Sequence, residues 1–138
     1  MREQENVALV KQGFAAFQQG DITTVLNFFA EDIEFRDSMP TAVWPWAGTC
    51  HGRTQVAKFY AGLAEVAEFE QFEPREFIAQ GDTVVVLAFE RLRIKATGRT
   101  VENDVVTVFT FREGKVVQLR TYEDTAPIIA ALRNQDTI

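Results

Sequence analysis

The sequence predicts an α+β domain, with helices gathered on one face of a long, mostly antiparallel sheet. Three observations carry that expectation. In the first half of the chain, apolar residues recur at helical spacing, at Val7, Val10, Phe14 and Phe17 and again at Val56, Phe59, Tyr60, Leu63 and Val66. The second half changes to long runs of β-branched and aromatic residues punctuated by turn signals. The 138 residues suit a single domain spanning 1–138, large enough to bury a real core.

Taken in order, residues 3–19 read as an amphipathic helix that stops at Gly20. Asp21 is placed to cap a second short helix, "ITTVLNFFA". "IEFRD" alternates like a strand and runs into an unusual loop. A third helix follows Gly52. "EFEQFEPREFIAQ", "TVVVLAFERLRIKA", "RTVENDVVTVFTFRE" and "KVVQLRTYED" read as long strands, separated at Gly81-Asp82, Thr97-Gly98 and Glu113-Gly114. "TAPIIAALR" closes as a short helix. Helices first and a meander afterwards is an α+β order.

A net charge of −6 argues against a nucleic-acid or anionic-membrane surface, either of which needs a basic face. One cysteine forms no internal disulfide, and no Cys/His cluster has zinc spacing, so no metal is expected. No stretch approaches membrane-spanning length and "MREQENVALVKQ" has no unbroken apolar run, so a soluble cytoplasmic protein is expected. Twelve phenylalanines point to an aromatic-rich core or cavity.

The loop "FRDSMPTAVWPWAGTCHG" holds both tryptophans and the only cysteine and histidine. Loops ordinarily carry small polar residues, so large apolar side chains here call for a reason. Trp44, Pro45 and Trp46 either wall an apolar pocket or cap the core or a dimer contact.

The order of elements and several strings resemble the SnoaL-like and ketosteroid-isomerase-related group of the NTF2-like superfamily. "GFAAFQQGDITTVLNFFAEDIEFRD" is similar to that family's opening helix pair and first strand. "HGRTQVAKFYAGL" is similar to its third helix, and "TGRTVENDVVTVFTFREGKVVQLRTYEDTAPI" to its last hairpin and terminal segment. The resemblance covers nearly the whole chain. It implies a cone: a strongly curved mixed or antiparallel sheet wrapped around three N-terminal helices and enclosing an apolar pocket. It also implies a homodimer, a small hydrophobic ligand or substrate, and no cofactor.

The resemblance supplies site residues as well. Counted from Asp21, Asp37 falls where ketosteroid isomerases place their proton-shuttling carboxylate, and beside Trp-rich surface a carboxylate loses solvation and gains basicity. The bland reading of Asp37 is a turn aspartate. The isomerase's two strong oxyanion donors align near Gly13 and Thr107, whereas Tyr60 matches a supporting pocket tyrosine. Glu90 and Asp124 fall near the acidic pair of limonene-epoxide-hydrolase-like relatives, and Asp124 also stands where SnoaL-type cyclases use a late acid.

Each of these has a structural alternative. Glu90 sits on an apolar stripe with Val84, Val86, Ala88 and Leu92, as a catalytic acid or as the partner of a cross-strand arginine. Asp124 is an acid or the N-cap of the final helix. His51 is a proton shuttle or a helix-entry residue, and Cys50 reads as a buried thiol. Phe14, Phe17, Phe59, Asn103, Thr107 and Phe109 would line the cone.

Two functions remain open on this basis. One is a cofactor-independent acid/base enzyme (isomerase, cyclase, dehydratase or hydrolase) acting on a small hydrophobic carbonyl, polyketide- or terpenoid-like compound. The other is a non-catalytic binder or dimerising module. Convergence of carboxylates inside the pocket separates them.

Overall fold

The computed structural model describes residues 2–41, 44 and 46–133; Pro45, named above as a pocket residue, lies outside them. The chain runs α1 (Arg2–Gln18), α2 (Ile22–Asn27), β1 (Phe29–Asp37), β2 (Gly48–His51), α3 (Gly52–Val66), β3 (Ala67–Gln80), β4 (Thr83–Ile94), β5 (Thr100–Arg112), β6 (Lys115–Glu123) and α4 (Thr125–Leu132).

Local chemistry sets most boundaries. Glu3 and Glu5 in the first turn of α1 complement its dipole. The Asp21 side chain accepts from the Thr24 amide at 3.2 Å and the Thr24 hydroxyl at 2.6 Å, which starts α2 and holds its carboxyl below the usual range. α2 is shorter than its sequence pattern because Phe29 is already committed to β1, where it is 3 % exposed. Part of the presumed loop is a strand: β2 pairs antiparallel with β1, Phe35 opposite Cys50 and Asp37 opposite Gly48. The turn from β2 into α3 needs Gly52, whose φ of +82° is strained for other residues.

The six strands form one curved sheet in the order β2-β1-β6-β5-β4-β3. All neighbours are antiparallel except β1 and β6, which run parallel, so the sheet is mixed. Extra residues bend the edge strand β3 between Phe69 and Gln71 and again between Pro74 and Glu76. Pro74 is tolerated there because the outer edge makes no ladder. The first bulge also turns Phe69 and Phe72 to the same side: Phe69 lies opposite Leu92 and Phe72 opposite Glu90, both inward positions of β4.

Helices α1 and α3 pack inside the curve, α1 against β3 and β4, α3 against β1. The burial of β4 alternates along its whole length, as does that of β5 from Val101 to Phe111. Two apolar clusters result. One gathers Val10, Val25, Ile33, Val56, Val84 and Phe111; the other gathers Trp44, Leu92, Ile94, Val101 and Ile128. Along β4, Glu90 falls between the two.

Outside α3, the Trp46 ring lies against Gly62 so closely that a Cβ there would sit 2.5 Å from the ring. We therefore expect Gly62→Ala to destabilise the protein by about 1–2 kcal/mol, the clash outweighing the ~1 kcal/mol that alanine contributes to a helix. In a Trp46→Ala background the same change should become neutral or stabilising. Denaturant unfolding of the four proteins checks this reversal of sign.

Candidate active site

The inner surface of the sheet and the inner faces of α1 and α3 enclose a cavity of about 120 Å³. Its wall is overwhelmingly aromatic and aliphatic. Phe14, Phe17, Phe59 and Tyr60 come from the helices, and Phe109 and Thr107 from β5. Trp44 closes one side, 6 % exposed and stacked on Phe59 with ring centroids 6.3 Å apart at 14°.

Into this wall the strands project three carboxyl groups, Asp37, Glu90 and Glu123. The register explains their meeting. Asp37, the last residue of β1, lies beside Thr121 of the parallel β6, and Glu123 is the next inward residue of that strand. Glu123 stands opposite Val105, which stands opposite Ala88, and Glu90 is two residues further along the same face of β4. The carboxyls therefore run diagonally across the concave face.

Their electrostatics follow from burial. Desolvation lifts Asp37 above its usual value; a hydrogen bond from the Met39 amide to its Oδ1 (2.9 Å) and one from the Glu123 side chain work against that rise. Glu123 is pushed up to about 9, first by desolvation, then by the charge of Asp37 and that of Glu90, and by its hydrogen bond to Asp37. Burial and the charge of Asp37 push Glu90 up to about 8. At neutral pH Glu90 and Glu123 thus hold their protons, and Glu123 donates to Asp37. Glu90 is 3 % exposed and its Oε2 has no hydrogen-bond partner among the described residues, which a neutral carboxyl tolerates far better than an ion. Burial, then the charge of Asp37, keeps the Tyr60 phenol protonated well beyond its usual range. Among the described residues no group of three His, Cys, Asp or Glu side chains is arranged to hold a metal ion.

Of the residues expected from sequence, Asp37, Glu90, Tyr60, Trp44, Phe14, Phe17, Phe59, Thr107 and Phe109 line the cavity. Asp37 also makes the tight turn of its bland reading, through Met39. Four residues lie elsewhere. Asp124 is exposed and caps α4, accepting from the Ala126 amide at 3.4 Å, because it follows the last residue of β6. His51 is exposed at the N-cap of α3, its amide donating to Gln55 Oε1 at 2.7 Å. Asn103 is buried on the inner face, but its amide is taken up by the Asp124 carbonyl at 2.9 Å. Trp46 is 38 % exposed and meets Trp44 edge-on from outside. Cys50 is a buried thiol facing the Trp46 carbonyl, pushed up by burial and by Asp37.

Glu123 is not among the residues expected from sequence, although it follows Leu119 and Thr121 at the two-residue period of β6; the family resemblance points one residue further, to Asp124.

The sequence matches the SnoaL-like domain family over residues 10–119. The structure is similar to that of an NTF2-like protein from Burkholderia xenovorans LB400, at 40% identity, with 98% of each chain covered and a TM-score of 0.79. It is also similar to an NTF2-like protein of unknown function from Burkholderia pseudomallei K96243, at 27% identity, 93% of this chain and 97% of that one, with a TM-score of 0.84. A third similar structure is TerC co-crystallised with polyporic acid, at 26% identity, 94% and 98% coverage and a TM-score of 0.83. No curated protein matches the sequence.

The carboxyl set makes stability depend on pH with a definite sign. Glu90 and Glu123 bind protons in the folded chain up to about 8 and about 9, against 4.5 for an ordinary glutamate. Between those values the folded state holds more protons than the unfolded one, so stability falls as pH rises. Each retained proton makes the slope about 1.4 kcal/mol per pH unit, so we expect a loss of several kcal/mol between pH 5 and 9 and a flatter profile for Glu123→Gln and Glu90→Gln. Thermal melts across that range measure both.

Proposed function

The chain belongs to the SnoaL-like family of the NTF2-like superfamily, and from that premise we propose that it is a cofactor-independent acid/base enzyme acting on a small hydrophobic carbonyl compound, polyketide- or terpenoid-like. The observation that carries this reading is the convergence of three buried carboxyl groups, Asp37, Glu90 and Glu123, in one apolar cavity, where Glu123 donates to Asp37. The relative TerC was crystallised with polyporic acid, which supports a small organic ligand. A binder needs apolar walls but has no use for three desolvated carboxyls, whose burial costs stability.

The geometry suits proton transfer at carbon. Asp37 takes a proton from the carbon next to a carbonyl, and the electron pair of the broken C–H bond moves onto the carbonyl oxygen as an enolate. Neutral donors stabilise that oxygen: the Glu123 or Glu90 acid, or the Tyr60 phenol. A carboxyl kept neutral in an apolar site to donate in this way is the arrangement known from ketosteroid isomerase. Here the donors come from other positions of the cone, so the missing isomerase donors near Gly13 and Thr107 are replaced. Where the enolate is conjugated to a C=C bond, its far carbon takes the proton back from Asp37, giving isomerisation; where it attacks a second carbonyl of the same molecule, a C–C bond forms and the resulting alkoxide takes that proton, giving cyclisation.

The chain is further proposed to form a two-fold homodimer through the convex face. Ile78 and Tyr122 are 49 % and 43 % exposed there, flanking the half-buried Val85, Leu87, Val106 and Val108. Arg91, bonded to Glu102 at 3.0 Å, stands at the rim of this band.

Asp37→Asn should lower turnover by about 10²–10⁴-fold with ligand affinity retained, since it keeps shape and removes the base. The rate should rise as Asp37 ionises, at a pH above that of an ordinary aspartate, and fall near pH 8–9 as Glu90 and Glu123 lose their protons. Carbon-13 titration of Asp37 beside the pH–rate profile tests both; an unshifted Asp37 with full activity in Asp37→Asn overturns the role. Light scattering at micromolar concentration should give the dimer mass, and Leu87→Lys the monomer mass.

A further inference from the structure

We propose that the cleft outside the cavity, bounded by the ends of α1, α3 and β3, is a second substrate subsite. It would take a neutral, flexible chain attached to the ring or carbonyl head that enters the reaction chamber. This rests on the chamber reading above and extends it to the shape and charge of the substrate.

The chamber is small. At about 120 Å³ it is close to the ~150 Å³ engineered cavity that holds one benzene ring, too little for a polycyclic molecule. Beside it lies a cleft of about 570 Å³. Five side chains, Phe17, Tyr60, Leu63, Phe69 and Phe72, line both spaces and so form the partition between them.

That partition is built of rings rather than backbone. Phe17 meets Phe69, Phe72 and Tyr60 at centroid distances of 5.2, 5.4 and 6.0 Å, and Phe69 meets Phe72 at 5.9 Å. The three Phe–Phe contacts are edge-on and the Phe17–Tyr60 contact is tilted, and ring rotation needs no strand to unzip. The β3 bulge brings Phe69 and Phe72 to the same side, and Gln18 Nε2 holds the Phe72 carbonyl at 2.5 Å, so the frame stays fixed while the rings turn. A ligand passing between them occupies both spaces at once.

The cleft's charges select the tail. Glu68 and Glu70 line it against a single cation, Lys95, whose Nζ already donates to the Ala64 carbonyl at 2.6 Å. An anionic tail meets two carboxylates and no unengaged cation among the described lining residues. An uncharged chain meets Leu63, Phe69 and Ile22 along the floor.

Phenyl ketones separate the two spaces by binding alone, without turnover. Acetophenone probes the chamber; octanophenone adds a tail; the same chain ending in a carboxylate adds charge. Titrations followed by Trp44 fluorescence and calorimetry should show octanophenone binding at least about tenfold tighter than either of the others. Ala64→Trp and, independently, Glu68→Trp fill the cleft from exposed positions and should remove that advantage while leaving acetophenone within about twofold. Phe69→Ala should speed octanophenone association in stopped flow. Tail binding unchanged in both tryptophan variants overturns the subsite, as does equal affinity of the two neutral ketones for the wild type. If no ketone binds, the chamber reading falls with it; if acetophenone alone binds, only the cleft does.

Discussion

The desolvation of one carboxyl group, Asp37, organises the polar side of this cavity. Asp37 leaves water at the end of β1, and every polar feature of the cavity follows from the need to accommodate it. A second ionised carboxylate so near would be repelled across a medium that screens poorly, so Glu123 and Glu90 keep their protons. Protonated, they become donors, and Glu123 turns its proton toward Asp37. The Met39 amide completes the shell from the turn beyond the strand. Removing solvent therefore produces an acid and a base from identical chemical groups, which is what proton transfer between carbon and oxygen demands.

The sheet makes this arrangement cheap. Its concave face gives each strand one inward row of side chains, and a carboxyl can be placed in that row at any register without disturbing the outward row. β4 shows this plainly: Val84, Val86, Ala88, Glu90, Leu92 and Ile94 face in, while Arg91 and Arg93 face out. The apolar neighbours of Glu90 raise its proton affinity and hold its stem in place. Trp44 does the same for the open side of the cavity, where a loop side chain has been folded inward to exclude water.

The fold was legible from periodicity because both halves keep strict repeats, 3.6 residues through α1 and α3 and two residues through β4 and β5. β2 was not, since its four residues sit in a segment dominated by Pro, Gly and Trp, and its strand character comes only from pairing with β1. At the site, Asp37 could be read from the family resemblance and the Trp-rich segment that follows it, and Glu90 because it interrupts an apolar stripe in its own strand. Asp124 and Glu123 are adjacent acids, and choosing between them required knowing where β6 ends, the least certain part of any reading from pattern. Trp44 and Trp46 are two residues apart in one loop, yet one is buried and the other covers Gly62 from outside; nothing in local composition distinguishes them. Asn103 shares the inward face with Thr107, and only the position of α4 decides that its amide is consumed by the Asp124 carbonyl.

The parallel pairing of β1 with β6 also orders events during synthesis. Ser38, next to Asp37, accepts a hydrogen bond from the Glu123 amide across 85 residues of chain, so the two halves of the carboxyl pair are synthesised far apart. Until β6 has left the ribosome, β1 has only the short β2 for a partner, and Asp37 remains in water as an ordinary aspartate. Long-range closure of this kind is slow compared with helix or hairpin formation. The basicity of Asp37 accordingly arrives only with β6, the strand whose pairing shuts the cone.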